Sequence, residues 1–113
     1  MKKVCLVMAS LKKGGSERVM LNYVQILILN NYLVDLVIIK NSYNEFNINE
    51  NYKNLNVLRL NKNKSVNALF KLINIFRKNK YEFIISSLMH INILTAFANL
   101  LIFQRHYLFL RET

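Results

Sequence analysis

Gly14 and Gly15 stand side by side in the stretch Ser10-Leu11-Lys12-Lys13-Gly14-Gly15-Ser16-Glu17-Arg18, and the 113-residue chain has no other glycine and no proline. They separate an apolar run from a helix-like pattern. Glycine lacks a Cβ, so it permits positive φ and brings bare backbone N–H groups close to a ligand. A helix starting at Ser16 or Glu17 points its positive dipole end at the same place. This corner suits a phosphate or a dense set of sugar hydroxyls; a tight turn without a ligand is the plainer reading. Lys12 and Lys13 are expected to be exposed, whether they attract phosphate or only face solvent. Glu17 and Arg18, in the first helical turn, suit either a ligand or the dipole and solvent. Neither G-x-x-x-x-G-K-[ST] nor G-x-G-x-x-G is present, so a P-loop and the dinucleotide fingerprint are excluded.

A second polar group follows a later apolar run: Ser86-Ser87-Leu88-Met89-His90, then Asn92. His90 reads as a cleft residue toward a ligand, or as a plain histidine at a helix start. His106 has no partner pattern and reads as structural. No metal or cofactor is indicated. Cys5 is the only cysteine, which excludes an internal disulfide and favours a reducing compartment. Inside an apolar run it reads as a small core residue.

These groups need elements to hold them. Val4 to Met8 is apolar without alternation, as in a strand covered on both faces. A first helix follows, with Val19, Tyr23, Ile26 and Leu27 on one face and Arg18, Asn22 and Gln25 on another. Asn30-Asn31 stops it, since asparagine tolerates a left-handed cap. Leu36 to Ile39 is a second strand, 41–54 a polar loop, and Leu55 to Leu60 a weaker strand suited to a sheet edge. Ser65 caps a second helix, whose apolar face is Leu69, Leu72, Ile73 and Phe76 and whose polar face is Asn67, Lys71, Asn74 and Lys78. Phe83 to Ile85 is a fourth strand, Ile91 to Phe103 a third helix, and Tyr107 to Leu110 a fifth strand.

Alternating strands and helices predict an α/β, Rossmann-like, doubly wound parallel sheet with helices on both faces. Right-handed crossovers give the five strands the order 3-2-1-4-5. The first and fourth strands are then neighbours at the point where the strand order reverses. Ligands of such sheets bind there, outside the carboxyl ends. The glycine loop and the Ser86–His90 loop meet at that point.

The formal net charge is +10. It reads as a solvated basic surface or as attraction to an anionic membrane or ligand; nucleic acid is not expected. No secretory signal is evident, and the tract 91–103 is too short for a transmembrane helix, which needs about 20 apolar residues. The expected location is cytoplasmic, with peripheral contact at the inner membrane face.

Taken together, "MKKVCLVMASLKKGGSERVMLNYVQIL", "VDLVIIKN", "ALFKLINIFRKNKYEFIISSLMHINIL" and "LRET" resemble the start of family 4 glycosyltransferases. The resemblance covers essentially the whole chain. Its most specific part is S-L-x-x-G-G-x-E-R followed by S-x-x-x-H-x-N. Lys13, Ser16 and Asn31 depart from residues usual in relatives. The resemblance implies a retaining enzyme of GT-B fold in bacterial surface polysaccharide synthesis. Its amino-terminal Rossmann-like domain binds a saccharide or lipid-linked acceptor. A carboxy-terminal domain binds the nucleotide-sugar donor, a co-substrate. It implies substrate-binding roles for Gly14, Gly15, Ser16, Glu17 and Arg18, and an acceptor-facing position for His90 and Asn92.

Residues 1–113 are accordingly expected to be part of the amino-terminal domain, with the donor-binding domain absent. They read as a truncated product or one part of a split enzyme, inactive alone. Other classes stay open: a non-catalytic binding module, or a basic anion- or membrane-binding domain.

Overall fold

Strand β1, Lys3–Met8, serves two cores at once. Val4, Leu6 and Met8 pack on one face of the sheet with Met20 and Val24 of helix α1, Gly15–Leu29. Cys5 and Val7 pack on the other face with Ala68, Leu72 and Phe76 of helix α2, Ser65–Lys78. Successive strand residues point to opposite faces, so a strand covered on both sides must be apolar throughout. The same alternation continues in β2, Leu33–Ile38, where Val34, Leu36 and Ile38 face α1's core and Val37 faces α2's.

This computed structural model describes residues 2–40, 45, 53–60, 65–87, 95 and 108–111. With β3, Leu55–Arg59, and β4, Phe83–Ser87, the strands run in parallel in the order β3-β2-β1-β4. The chain is α/β and Rossmann-like, with one described helix on each face. The segment Leu108–Arg111 pairs in parallel along the outer side of β4, with Leu108 in register with Ile84. The third helix predicted over 91–103 lies outside the described residues except Thr95, which is helical and buried. Ser65 opens α2, but its capping side chain lies outside them too.

Two local expectations need correction. β2 begins at Leu33, not Leu36, because a carboxylate in an apolar run, Asp35, is buried rather than left outside the strand. The buried stripe of α1 is Met20 and Val24, flanked by Tyr23 and Leu27, while Ile26 is 54% exposed. α1 is apolar over most of its circumference, and the sheet selects a stripe rotated from the expected one. Neither glycine uses the positive φ that its type permits.

The expected stop at Asn30-Asn31 is present. Asn31 has φ 66°, the left-handed conformation. The Asn31 N–H donates to the Ile28 carbonyl at 3.1 Å, and the Tyr32 N–H to the Leu27 carbonyl at 3.0 Å. This pair of bonds is a Schellman motif, which satisfies carbonyls left open at a helix end. The Asn30 side chain caps a further carbonyl, Ile26, at 2.7 Å.

Candidate functional site

The carboxyl end of β1 lies between those of β2 and β4, with Val7 in register with Val37 and Ser86. From there the chain leaves the sheet and turns into α1. Leu11, fully buried among α1's core residues, anchors the loop from beneath. Ser10 Oγ accepts from the Lys12 N–H at 3.3 Å. Lys12, Lys13, Gly14 and Gly15 follow, all exposed. Arg18 is exposed one turn into the helix, and Glu17 is half-buried.

Gly14 is the N-cap, in extended conformation with φ −167°, and no side chain caps the helix. The first intrahelical bond runs from the Arg18 N–H to the Gly14 carbonyl at 3.1 Å. The N–H groups of Gly15, Ser16 and Glu17 precede it at the positive end of the dipole. The two glycines differ. A Cβ on Gly14 would stand 2.6 Å from Glu17 Oε1, whereas one on Gly15 would meet nothing within 4 Å. Gly14 therefore makes room for the Glu17 carboxylate, which folds back toward the start of its own helix. Gly15 is bare without any internal packing reason.

The loop is held from the side. Lys12 pairs as an isolated antiparallel bridge with Glu45, and Glu45 Oε1 lies 3.4 Å from the Arg59 guanidinium at the end of β3. Glu45 thus links the glycine loop to the far strand, across the end of β2. Its part in the site had no sequence signal, because it lies in a polar stretch without periodicity.

The structure brings Gly14, Gly15, Glu17 and Arg18 to one corner at the switch point, together with Lys12 and Lys13; Ser16 lies there by its backbone. Ser86 is fully buried on β4. His90 and Asn92 lie outside the described residues. Among the described residues no group of His, Cys, Asp and Glu could hold a metal ion. No described helix is long and apolar enough to cross a membrane.

A different polar cluster sits toward the amino ends of the strands. Asp35, 4% exposed, pairs in register with Cys5 and accepts from the Tyr81 hydroxyl at 2.6 Å. Lys3 Nζ lies 3.6 Å from Asp35 Oδ2, donates to Asn79 Oδ1 at 2.6 Å, and stands over the Tyr81 ring at 5.8 Å. Burial, then the Asp35 carboxylate, push the Cys5 thiol up, so it is held as an inert thiol. Burial first, then Cys5 and Asp35, push the Tyr81 phenol up as well. This cluster joins β1, β2 and the connection between α2 and β4 at the pole opposite the glycine loop, and it is structural.

No protein-family model matches the chain, and no curated protein matches it.

Proposed function

We propose that this chain is the acceptor-side, Rossmann-like part of a retaining GT-B glycosyltransferase, with Leu108–Arg111 as the fifth strand of its sheet. One observation supports this reading most: the bare, exposed Gly15 at the start of α1, at the switch point, with Lys12, Lys13 and Arg18 beside it. The sequence resemblance supplies the reaction class; fold alone does not fix it.

In this reading a sugar passes from a nucleotide to a saccharide or lipid-linked acceptor. Negative charge grows on the departing diphosphate, and the helix N–H groups with Lys12, Lys13 and Arg18 stabilise it. Arg18 contacts phosphate and Glu17 the hydroxyls of the transferred sugar; the resemblance gives His90 and Asn92 a role toward the acceptor. A second, donor-binding domain completes the site.

Backbone amide NMR of the labelled chain tests the site. Titration with UDP, GDP and a polyprenyl phosphate is expected to move the amides of Lys12 to Arg18. The amides near Asp35 and Tyr81 stay in place. Shifts confined elsewhere, or none with any of the three, overturn the reading.

A further inference from the structure

Glu45 meets the glycine loop through its backbone and β3 through its side chain. The backbone forms the antiparallel bridge with Lys12. The carboxylate accepts from Arg59 Nη1 at 3.4 Å. Residues opposite each other in an antiparallel pair carry their side chains on the same face, with Cβ atoms about 4.5–5.5 Å apart. Backbone pairing therefore makes Lys12 the cation closest to hand for this carboxylate. Yet no ion pair among the described residues includes Lys12, and the carboxylate is turned to Arg59 instead.

The sheet explains why Arg59 can compete. Arg59 ends β3 in register with Ile38, and the Leu60 N–H donates to the Ile38 carbonyl at 2.9 Å. Beyond Ile38 the chain stays beside β1: the Ile39 N–H donates to the Met8 carbonyl at 3.0 Å, and the Lys40 N–H to the Ala9 carbonyl at 2.8 Å. The root of the guanidinium is thus fixed by the sheet, while Lys12 stands on an exposed loop. A guanidinium is also less strongly hydrated than an ammonium and matches the planar geometry of a carboxylate. With Arg59 present, the three side chains leave one positive charge beside the loop. Without it they leave none.

We infer that Arg59 is a positioning residue for the glycine corner: it holds the Glu45 carboxylate off Lys12 and so keeps the Lys12 ammonium for an anionic ligand. Arg59 acts without touching that ligand. That the ligand is a phosphate rests on the function proposed above; the diversion of Glu45 does not. The Arg59 and Glu45 side chains are 38% and 23% exposed, so the effect has the size of a surface ion pair, up to about fivefold.

The test compares wild type, Arg59→Gln and Arg59→Gln/Glu45→Gln as full chains. Limiting acetylation with an amine-reactive ester, read at each lysine by mass spectrometry, reports how far Lys12 is engaged by a carboxylate. Arg59→Gln is expected to slow acetylation of Lys12 by up to about fivefold and to leave Lys13 unchanged. The double variant is expected to return Lys12 to the wild-type rate, because the released carboxylate is gone. A loop that had merely lost a support would not recover on losing a second one. UDP affinity, measured by calorimetry, is expected to follow the same order, weaker in Arg59→Gln and restored in the double variant. A Lys12 rate unmoved by Arg59→Gln, a rate still low in the double variant, or UDP binding of equal strength in all three chains would overturn the inference. The expected acetylation pattern without UDP binding to wild type would support the role of Arg59 and overturn the phosphate reading of the corner.

Discussion

The Tyr81 hydroxyl donates to Asp35 Oδ2 across 2.6 Å and 46 residues of sequence. Asp35 is on β2 and Tyr81 leads into β4, with β1 between them. The bond therefore passes over β1 at Cys5, whose thiol lies close enough to hydrogen-bond the same hydroxyl. Tyr81→Phe removes the hydroxyl and leaves the buried carboxylate with Lys3 as its remaining named partner. The expected cost is about 1–3 kcal/mol, the penalty for under-satisfying a buried polar group. Urea denaturation measures it. An unchanged midpoint would mean that water replaces the phenol.

The same cluster sets an alkaline limit. Cys5 is raised from an ordinary value of 9.0 and Tyr81 from 10.0. Both are neutral in the folded chain, while in the unfolded chain they lose their protons above those values. The stability they support is therefore complete below pH 9 and declines as pH rises from there. For Cys5 the slope is about 1.4 kcal/mol per pH unit. Cys5→Ala is expected to move the onset of this decline to about pH 10, read from unfolding midpoints across an alkaline series. Below pH 9 the thiol should react with a disulfide reagent only as fast as the chain opens.

Much of this architecture was legible in the residues. Val4–Met8 reads as a doubly covered strand because a parallel sheet leaves it no polar face. Leu72 and Phe76 mark the inner side of α2 because its apolar residues keep helical spacing. Asp35 hid the start of β2, since its partners lie at positions 3 and 81 and local pattern does not reveal them. Ile26 and the buried stripe of α1 could not be separated, because apolar residues cover most of the circumference of that helix outside its Arg18, Asn22 and Gln25 face. Phe70 sat among polar residues without fitting either face of the expected pattern. At the site, the glycines were read as permitting positive φ or a close approach of bare backbone. For Gly14 the reason proved spatial: it accommodates the Glu17 carboxylate, and only the folded side chain reveals that. Among the described residues the positive φ belongs to Asn31.

Asn31 gives a test of the helix stop. Asparagine tolerates the left-handed region better than other residues with a Cβ, but less well than glycine. Asn31→Gly should leave stability within about 1 kcal/mol of wild type, and Asn31→Val should lower it by about 1–2 kcal/mol. Thermal unfolding separates the two. Equal midpoints would show that the Schellman bonds do not constrain this turn.

Glu17 tests the electrostatics of the corner. Its carboxylate rests near Gly14 at the positive end of α1. Glu17→Gln should lower stability by about 0.3–1 kcal/mol through the helix dipole. It should also tighten the binding of a nucleoside diphosphate, because a negative charge leaves the place the phosphates approach. Calorimetric titration with UDP reads the second effect. Weaker binding by Glu17→Gln would instead show that the carboxylate holds the ribose hydroxyls of UDP and not the transferred sugar.

The two glycines separate folding from binding. Gly15 has open space where a Cβ would go, and its φ is not positive. Gly15→Ala should therefore be neutral or stabilising by up to about 1 kcal/mol, since it reduces the freedom of the unfolded chain. If backbone N–H groups at this corner meet phosphate, the added methyl stands between them and the ligand. Binding should then weaken while the melting temperature holds or rises. Gly14→Ala should behave differently: its methyl would displace the Glu17 side chain, a shift that a flexible carboxylate can make at small cost. A paired measurement of melting temperature and UDP affinity on both variants distinguishes the roles. Gly15→Ala that keeps both stability and affinity would reduce Gly15 to a turn residue and remove the main support for a ligand at this corner.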